Sequence, residues 1–345
     1  MEITRITLQH FRSHNNYSTP LSPTTIITGP NGSGKTSIIE AVYIALRGSS
    51  FRGSLSEILN NNEMWWRADI ETSLPHTVTI KFNPAGQHVK QFIIKDKQTY
   101  RLPNNNKYPV VLFEPDDMRL IHGSPERRRT FIDQFISQID PNFYATIRKY
   151  ERALKQRNTL LKSSASHDSI FVWDMALSEH GANIITKRQE YIEKINQKLQ
   201  EIYRSIAKNK DEVFIAYSAP SSQTTKQQLL NQLHANIERD RLMKSTSVGP
   251  HRHDVLFGFN GASAKQVTSR GEARTMVLAL KLIEALLIED ETDKKPIILL
   301  DDVLSELDEV HQQALQNIFK NHYQTIITGT HVSWPQKGAT VISLS

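Results

Sequence analysis

A chain of 345 residues and 39.5 kDa has room for two domains, or for one large domain with an insertion. Hydrophobic content of 38% and aromatic content of 8% exclude a disordered chain, and zero cysteines exclude a disulfide framework or a thiolate metal site. Net charge is +6, and all of it comes from residues 119–162, where ten Lys or Arg face four Asp or Glu while the remainder balances at 32 against 32.

Taken in chain order, "MEITRITLQHFRSH" alternates like a strand and lacks the apolar centre of a signal peptide. No apolar stretch reaches the ~18 residues of a membrane span, so the expectation is a soluble, cytoplasmic protein with no membrane partner. β-branched apolar runs at 24–28, 109–113, 254–259, 296–300 and 325–328 predict buried strands of a sheet covered on both faces. Residues 78–82 and 91–95 predict a more exposed antiparallel pair. Asp140-Pro141 is a helix start, and Phe143, Ile147, Tyr150 and Leu154 share one face beyond it. A second helix is predicted over 183–209 from the heptad-like stripe Ile192, Ile195, Leu199, Ile202 and Ile206, with polar loops at 162–169 and 218–228. Strand material thus lies at both ends of the chain. The predicted fold class is α/β, with one head built from 1–115 and 241–345 and a helical lobe inserted over 116–240.

"ITGPNGSGKTSIIEAVYIAL" carries the phosphate chemistry. Gly29, Gly34, Lys35 and Thr36 match the P-loop pattern between a strand and an apolar-periodic helix. Glycines let backbone N–H groups curl around phosphate oxygens, and the helix N-terminus adds its positive end. The expected cradle is Gly29, Pro30, Asn31, Gly32, Ser33, Gly34, Lys35, Thr36 and Ser37, with ATP and Mg²⁺ as cofactors, Lys35 on the β- and γ-phosphates and Thr36 on the metal. "PIILLDDVLSELD" sets two aspartates at the end of an apolar run, where unpaired charge is costly. A nearby dication removes that cost for Asp301, the expected second metal residue. Asp302 is expected to orient or activate the attacking water; its alternative is a helix-capping carboxylate.

"VTSRGEARTMVLALKLIEALL" opens with small and polar residues and becomes an apolar helix, which places Ser269 and Gly271 at a second anion-binding helix start. Here the sequence resembles the SMC-like branch of ATP-binding-cassette (ABC) ATPases, in which a serine–glycine signature helix closes over ATP bound by the opposite subunit. That resemblance implies an ATP-dependent homodimer, an interface role for Asp308 within "SELD", and a γ-phosphate-sensing role for His331, whose alternative is a plain surface histidine. "GPNGSGKTSIIEAVY", "SFRG", "FEPDDMRLIHGSPERRRTFID", "SVGPHRHD" and "IILLDDVLSELD" together resemble the RecF family of bacterial recombination mediators. This resemblance implies a weak ATPase acting as a switch, duplex DNA held near single-strand junctions, and cooperation with RecR and RecO in loading recombinase. Three positions depart from the family pattern: His253 stands where an acid is usual, and Arg270 and Glu272 replace glutamines.

The basic stretch supplies the expected DNA contacts, because Lys and Arg bind phosphates through counterion release. The candidates are Arg127, Arg128, Arg129, Arg148, Lys149, Arg152, Lys155 and Arg157, with internal salt bridges as the alternative for any one of them. Two other classes fit less well. A transporter ATPase subunit would carry a Ser-Gly-Gly signature closer to the P-loop than the 234 residues from Lys35 to Ser269. An SMC-like DNA-bridging protein would need arms longer than this lobe.

Overall fold

The computed structural model describes residues 1–60, 63–74, 77–163, 165–219, 224–319, 322–330 and 338–345. The elements run β1 (Ile3–Phe11), β2 (His14–Pro20), β3 (Thr24–Thr28), α1 (Lys35–Arg47), β4 (Trp66–Thr72), β5 (Thr77–Phe82), β6 (Lys90–Ile94), β7 (Lys97–Thr99) and β8 (Val110–Phe113). Next come α2 (Pro125–Ile139), α3 (Pro141–Lys162), α4 (His167–Ala207), β9 (Val213–Ser218), α5 (Lys226–Ala235), α6 (Ile237–Met243), β10 (Asp254–Phe259) and β11 (Ala262–Ser263). The chain closes with α7 (Ala264–Val267), α8 (Arg270–Thr292), β12 (Ile297–Asp301), α9 (Glu309–Phe319), β13 (Thr325–Gly329) and β14 (Thr340–Ser343).

Two compact units result, residues 1–118 with 284–345, and residues 119–283. The first contains a parallel five-stranded sheet in the order β14-β3-β13-β12-β8 and a six-stranded antiparallel sheet in the order β2-β1-β4-β5-β6-β7. β3, β12 and β13 each carry adjacent buried Ile or Leu residues, Ile26-Ile27, Ile297 to Leu300 and Ile326-Ile327, because a parallel sheet is covered on both faces. α1 fills the space between the sheets, and Ile38, Val42 and Leu46 share one core with Ile6 and Leu8 of β1, Ile27 of β3 and Leu299 of β12. A buried Glu40 on this helix is answered by Arg12, whose Nε and Nη2 donate to its two oxygens at 2.5 and 2.9 Å.

The second unit packs α3 against α4 and lays α4 on β9 of a small sheet ordered β11-β10-β9. Asp140 caps α3, accepting from the Asn142 amide at 2.9 Å, as the Asp-Pro pair predicts. α4 begins at His167 rather than near 183, because Ile170, Leu177 and Ile184 continue the buried stripe upstream and Gly181 does not interrupt it. The lobe predicted over 116–240 accordingly differs from the observed unit. Residues 254–259 form a strand, but it pairs antiparallel with β9 and not with the parallel sheet, which carries the second unit on to 283.

"SVGPHRHD" organises the start of β10. The carbonyl of Thr246 accepts from His251 Nε2 at 3.1 Å, so the other ring nitrogen, Nδ1, accepts from the Tyr150 hydroxyl at 2.7 Å. His253 Nδ1 lies 2.9 Å from the Tyr217 hydroxyl, which also accepts from Arg188. Burial pushes both imidazoles down to about 4, so they are neutral members of a hydrogen-bonded core.

Candidate functional site

The P-loop hangs between the end of β3 and α1. Gly29, Gly32 and Gly34 have φ of 157°, 86° and 92°, a region costly for residues with a Cβ. At Gly29 a Cβ would lie 2.6 Å from the Leu344 carbonyl oxygen, and at Gly34 it would strike His14 and Ser13. His14 Nε2 sits 3.1 Å from the Gly34 carbonyl, so the β1–β2 turn buttresses the loop, a role the sequence reading missed. Gly34 leads into α1 with no side-chain cap, which leaves the helix's first N–H groups to an anion. The Lys35 ammonium is folded over the loop, donating to the carbonyls of Gly29 and Pro30 at 2.8 Å each.

Beside it, Thr36 Oγ1 donates to Asp301 Oδ1 at 2.9 Å, and Thr328 Oγ1 donates to the same oxygen at 2.8 Å. β12 and β13 are adjacent parallel strands, and their register sets Asp301 opposite Thr328. Burial raises the Asp301 carboxyl above its ordinary range, against the hydrogen bonds from Thr328 and Thr36 and the charge of Arg52, while Asp302 adds repulsion. The nearby charge of Arg52, in the "SFRG" stretch, was not anticipated from sequence. Asp302 adopts a left-handed conformation (φ 54°), its amide held 3.1 Å from Thr328 Oγ1. Its carboxylate makes no cap bond at the start of the following turn, and its buried Oδ1 has no partner among the described protein atoms. The buried Asp301 carboxylate and the Thr36 hydroxyl offer an oxygen-only donor pair, which fits the ligand preference of Mg²⁺, and the orphaned Asp302 oxygen belongs to the adjacent residue.

The remaining candidates separate. Ser269, Arg270 and Gly271 are exposed at the start of α8, in the second unit. The Ser269 amide donates to Glu272 Oε2 at 2.7 Å and Ser269 Oγ accepts from the Glu272 amide at 3.3 Å, which is a reciprocal capping box. Asp308 accepts from the His311 amide at 3.0 Å and caps α9. His331 lies outside the described residues.

Two arginines leave the set of DNA candidates. Arg157 is fully buried, donating to Asp174 at 2.5 Å, to Asp240 at 2.7 Å and to Thr246 at 2.9 Å. Arg128 is buried in a two-point pair with Asp254 (2.8 and 2.7 Å) and also donates to the carbonyls of Ile121 and Gly123. Both guanidiniums are committed to internal partners. Arg129 is half-buried and donates to the His253 carbonyl at 2.7 Å; Arg127 is half-buried near the start of α2. Arg148, Lys149, Arg152 and Lys155 are exposed along α3, Arg148 forming a surface pair with Glu151.

A family model described as an AAA domain matches residues 5–320. The DNA replication and repair protein RecF of Natranaerobius thermophilus is 33% identical over 352 residues, covering 96% of this chain and 91% of that protein. The chain belongs to the RecF family. Solved structures of the recombination mediator RecF in the RecFOR pathway, in the forms RecF-ATPrS and RecF-ATP, superpose with TM-scores of 0.86 and 0.85 at 29% identity, covering 96% of this chain and 93% and 92% of theirs. An SMC head bound to the winged-helix domain of ScpA shares the fold alone, at TM-score 0.55 and 16% identity over 96% of this chain and 90% of that one. RecF and SMC heads are thus one architecture, an α/β P-loop ATPase.

Proposed function

We propose that this RecF-family chain is an ATP-switched DNA clamp with a slow ATPase. The observation that carries the reading is the cluster of Thr36, Asp301 and Thr328 beside the P-loop, with the Asp302 oxygen left over. On this reading Lys35 exchanges the carbonyls of Gly29 and Pro30 for the β- and γ-phosphates of ATP. Bound Mg²⁺ supplies charge neutralisation, with Thr36 and Asp301 as the residues that hold it. Asp302 accepts a hydrogen bond from the attacking water and takes up its proton.

The exposed Ser269–Gly271 turn completes the site from a second copy, so ATP drives dimerisation, with Asp308 near the contact. Arg148, Lys149, Arg152 and Lys155 hold duplex DNA near a single-strand gap, and the loaded dimer cooperates with RecR and RecO to deliver recombinase. Hydrolysis releases the DNA. This reading keeps the chain ends as the ATPase head and the helical segment as the DNA-contacting lobe.

Light scattering of the purified protein with ADP, ATP, or ATP plus Mg²⁺, with and without gapped duplex, tests the proposal. A monomer that dimerises only with ATP and then holds DNA in a salt-sensitive way supports it. A chain that stays monomeric and ignores DNA overturns it.

A further inference from the structure

The charge outside residues 119–162 balances overall, yet it is unevenly placed. Residues 81–107 hold Lys81, Lys90, Lys95, Lys97, Arg101 and Lys107 against the single acid Asp96. Lys81, Lys90, Lys95 and Lys97 lie on or between the last three strands of the six-stranded sheet, and Arg101 follows the edge strand β7. β5, β6 and β7 are consecutive antiparallel strands ending the sheet, with Lys81 opposite Gln91 and Ile94 opposite Lys97. Their inner residues Ile80, Phe82, Phe92 and Ile94 are buried, so Lys81, Gln91 and Ile93 stand on the outer face. The β6–β7 turn, Lys95-Asp96, has φ of 50° and 61° and projects Lys95 into solvent.

Directly after β7, Tyr100 is 60% exposed, a large fraction for an aromatic residue. Its hydroxyl is fixed at 3.0 Å from His88 Nε2, and the two rings lie 4.5 Å apart. One cation of the group has a structural explanation. The Lys90 ammonium donates to the Gly48 carbonyl at the C-terminus of α1, at 2.6 Å, where a helix favours positive charge. That contact does not account for Lys95, Lys97 or Arg101. Burial pushes Lys90 below its usual range, and the positive charges of Arg101 and Lys107 add to the effect. Such a grouping is stabilised by a polyanion.

We infer that this edge, through Lys95, Lys97, Arg101 and the Tyr100–His88 pair, takes a DNA single strand, with phosphates on the cations and one base stacked on Tyr100. A duplex keeps its bases in the stack, whereas an unpaired strand offers a π-face to an exposed ring, and such stacking is independent of sequence. The inference rests on the DNA-binding reading above and adds a separate place for the unpaired strand, in the first unit.

The test measures binding of the full chain with ATP to fluorescent oligothymidylate and to a duplex of equal length. Tyr100→Ala should weaken oligothymidylate binding about tenfold and leave duplex binding within about twofold. Lys97→Glu with Arg101→Glu removes two phosphate contacts and should lower the salt slope for the single strand by about 1.4. Oligonucleotides carrying 5-iododeoxyuridine should cross-link to the peptide that contains Tyr100. Lys149→Glu with Arg152→Glu on α3 should reverse the pattern, losing duplex and keeping the single strand.

Unchanged single-strand affinity in Tyr100→Ala, with ATP-dependent dimerisation intact, overturns the inference. A wild-type protein that binds duplex but not oligothymidylate also overturns it while sparing the clamp. Binding of the single strand alone overturns the duplex reading and spares this one.

Discussion

Replacing Arg157 separates a structural from a DNA-contacting role for the basic stretch. The guanidinium is fully buried between two carboxylates that are themselves buried, Asp174 and Asp240. Asp240 also accepts from the Ser247 amide at 3.0 Å, and Thr246 Oγ1 lies 2.8 Å from Asn158 Oδ1, so the cation closes a network that joins α3, α4, α6 and the segment after α6. Arg157→Ala strands two buried carboxylates. Breaking a buried pair from one side costs about 3–5 kcal/mol. A unit of this size melts about 2–4 °C lower per kcal/mol, so calorimetry should show the second unit melting roughly 10 °C early. Arg157→Met combined with Asp174→Asn and Asp240→Asn removes the stranded charge and should recover most of the loss, because replacing a whole buried ion pair is often near neutral. DNA affinity, measured well below the transition, should be unchanged in both variants. A wild-type melting temperature together with lost DNA binding would refute the reasoning and return Arg157 to the DNA surface.

Lys35→Ala should weaken ATP binding about 100-fold and abolish ATP-dependent dimerisation with it, read by nucleotide fluorescence and light scattering. Dimerisation that survives the change would exclude the sandwich model. Asp302→Asn should retain ATP binding and the dimer but slow phosphate release about 100-fold in a single-turnover assay; unchanged turnover moves the water-activating role to another group. His251 and His253 make the second unit acid-sensitive. Unfolded imidazoles take up protons below about pH 6.5, and the folded ones do so only near pH 4. Stability is therefore fully present above about pH 6.5 and is lost on acidification towards 4, by up to about 3 kcal/mol for each ring. Urea midpoints that stay flat across that window would contradict the neutral hydrogen-bonded assignment.

What the sequence revealed and what it hid follow from the range of the interactions involved. The P-loop is a contiguous run of residues with a backbone requirement at each glycine, and β3, β12 and β13 carry β-branched and apolar residues at adjacent positions because both faces are covered. Those features are local and were legible. The run 254–259 is equally apolar, but apolarity alone does not say which sheet a strand joins, and β10 pairs with β9 instead. Charge density was the weakest guide. Arg128 meets Asp254 across 126 residues and Arg157 meets Asp240 across 83, and no local count of cations reveals such partners. The same limit hid the edge at 81–107 inside a remainder that sums to zero.

The departures at the start of α8 have a physical reading of their own. A capping box closes with either glutamine or glutamate at its third helical position, so Glu272 keeps the cap that a glutamine would make. The exchange adds a negative charge at a helix N-terminus, where the macrodipole favours it, with the cation of Arg270 two residues away. The Ser269 oxygen already accepts the Glu272 amide. A hydroxyl has a single proton, and this acceptance leaves that proton free to donate outward. At the exposed start of α8, Ser269 thus keeps a hydroxyl proton of its own while Glu272, in place of a glutamine, closes the cap around it.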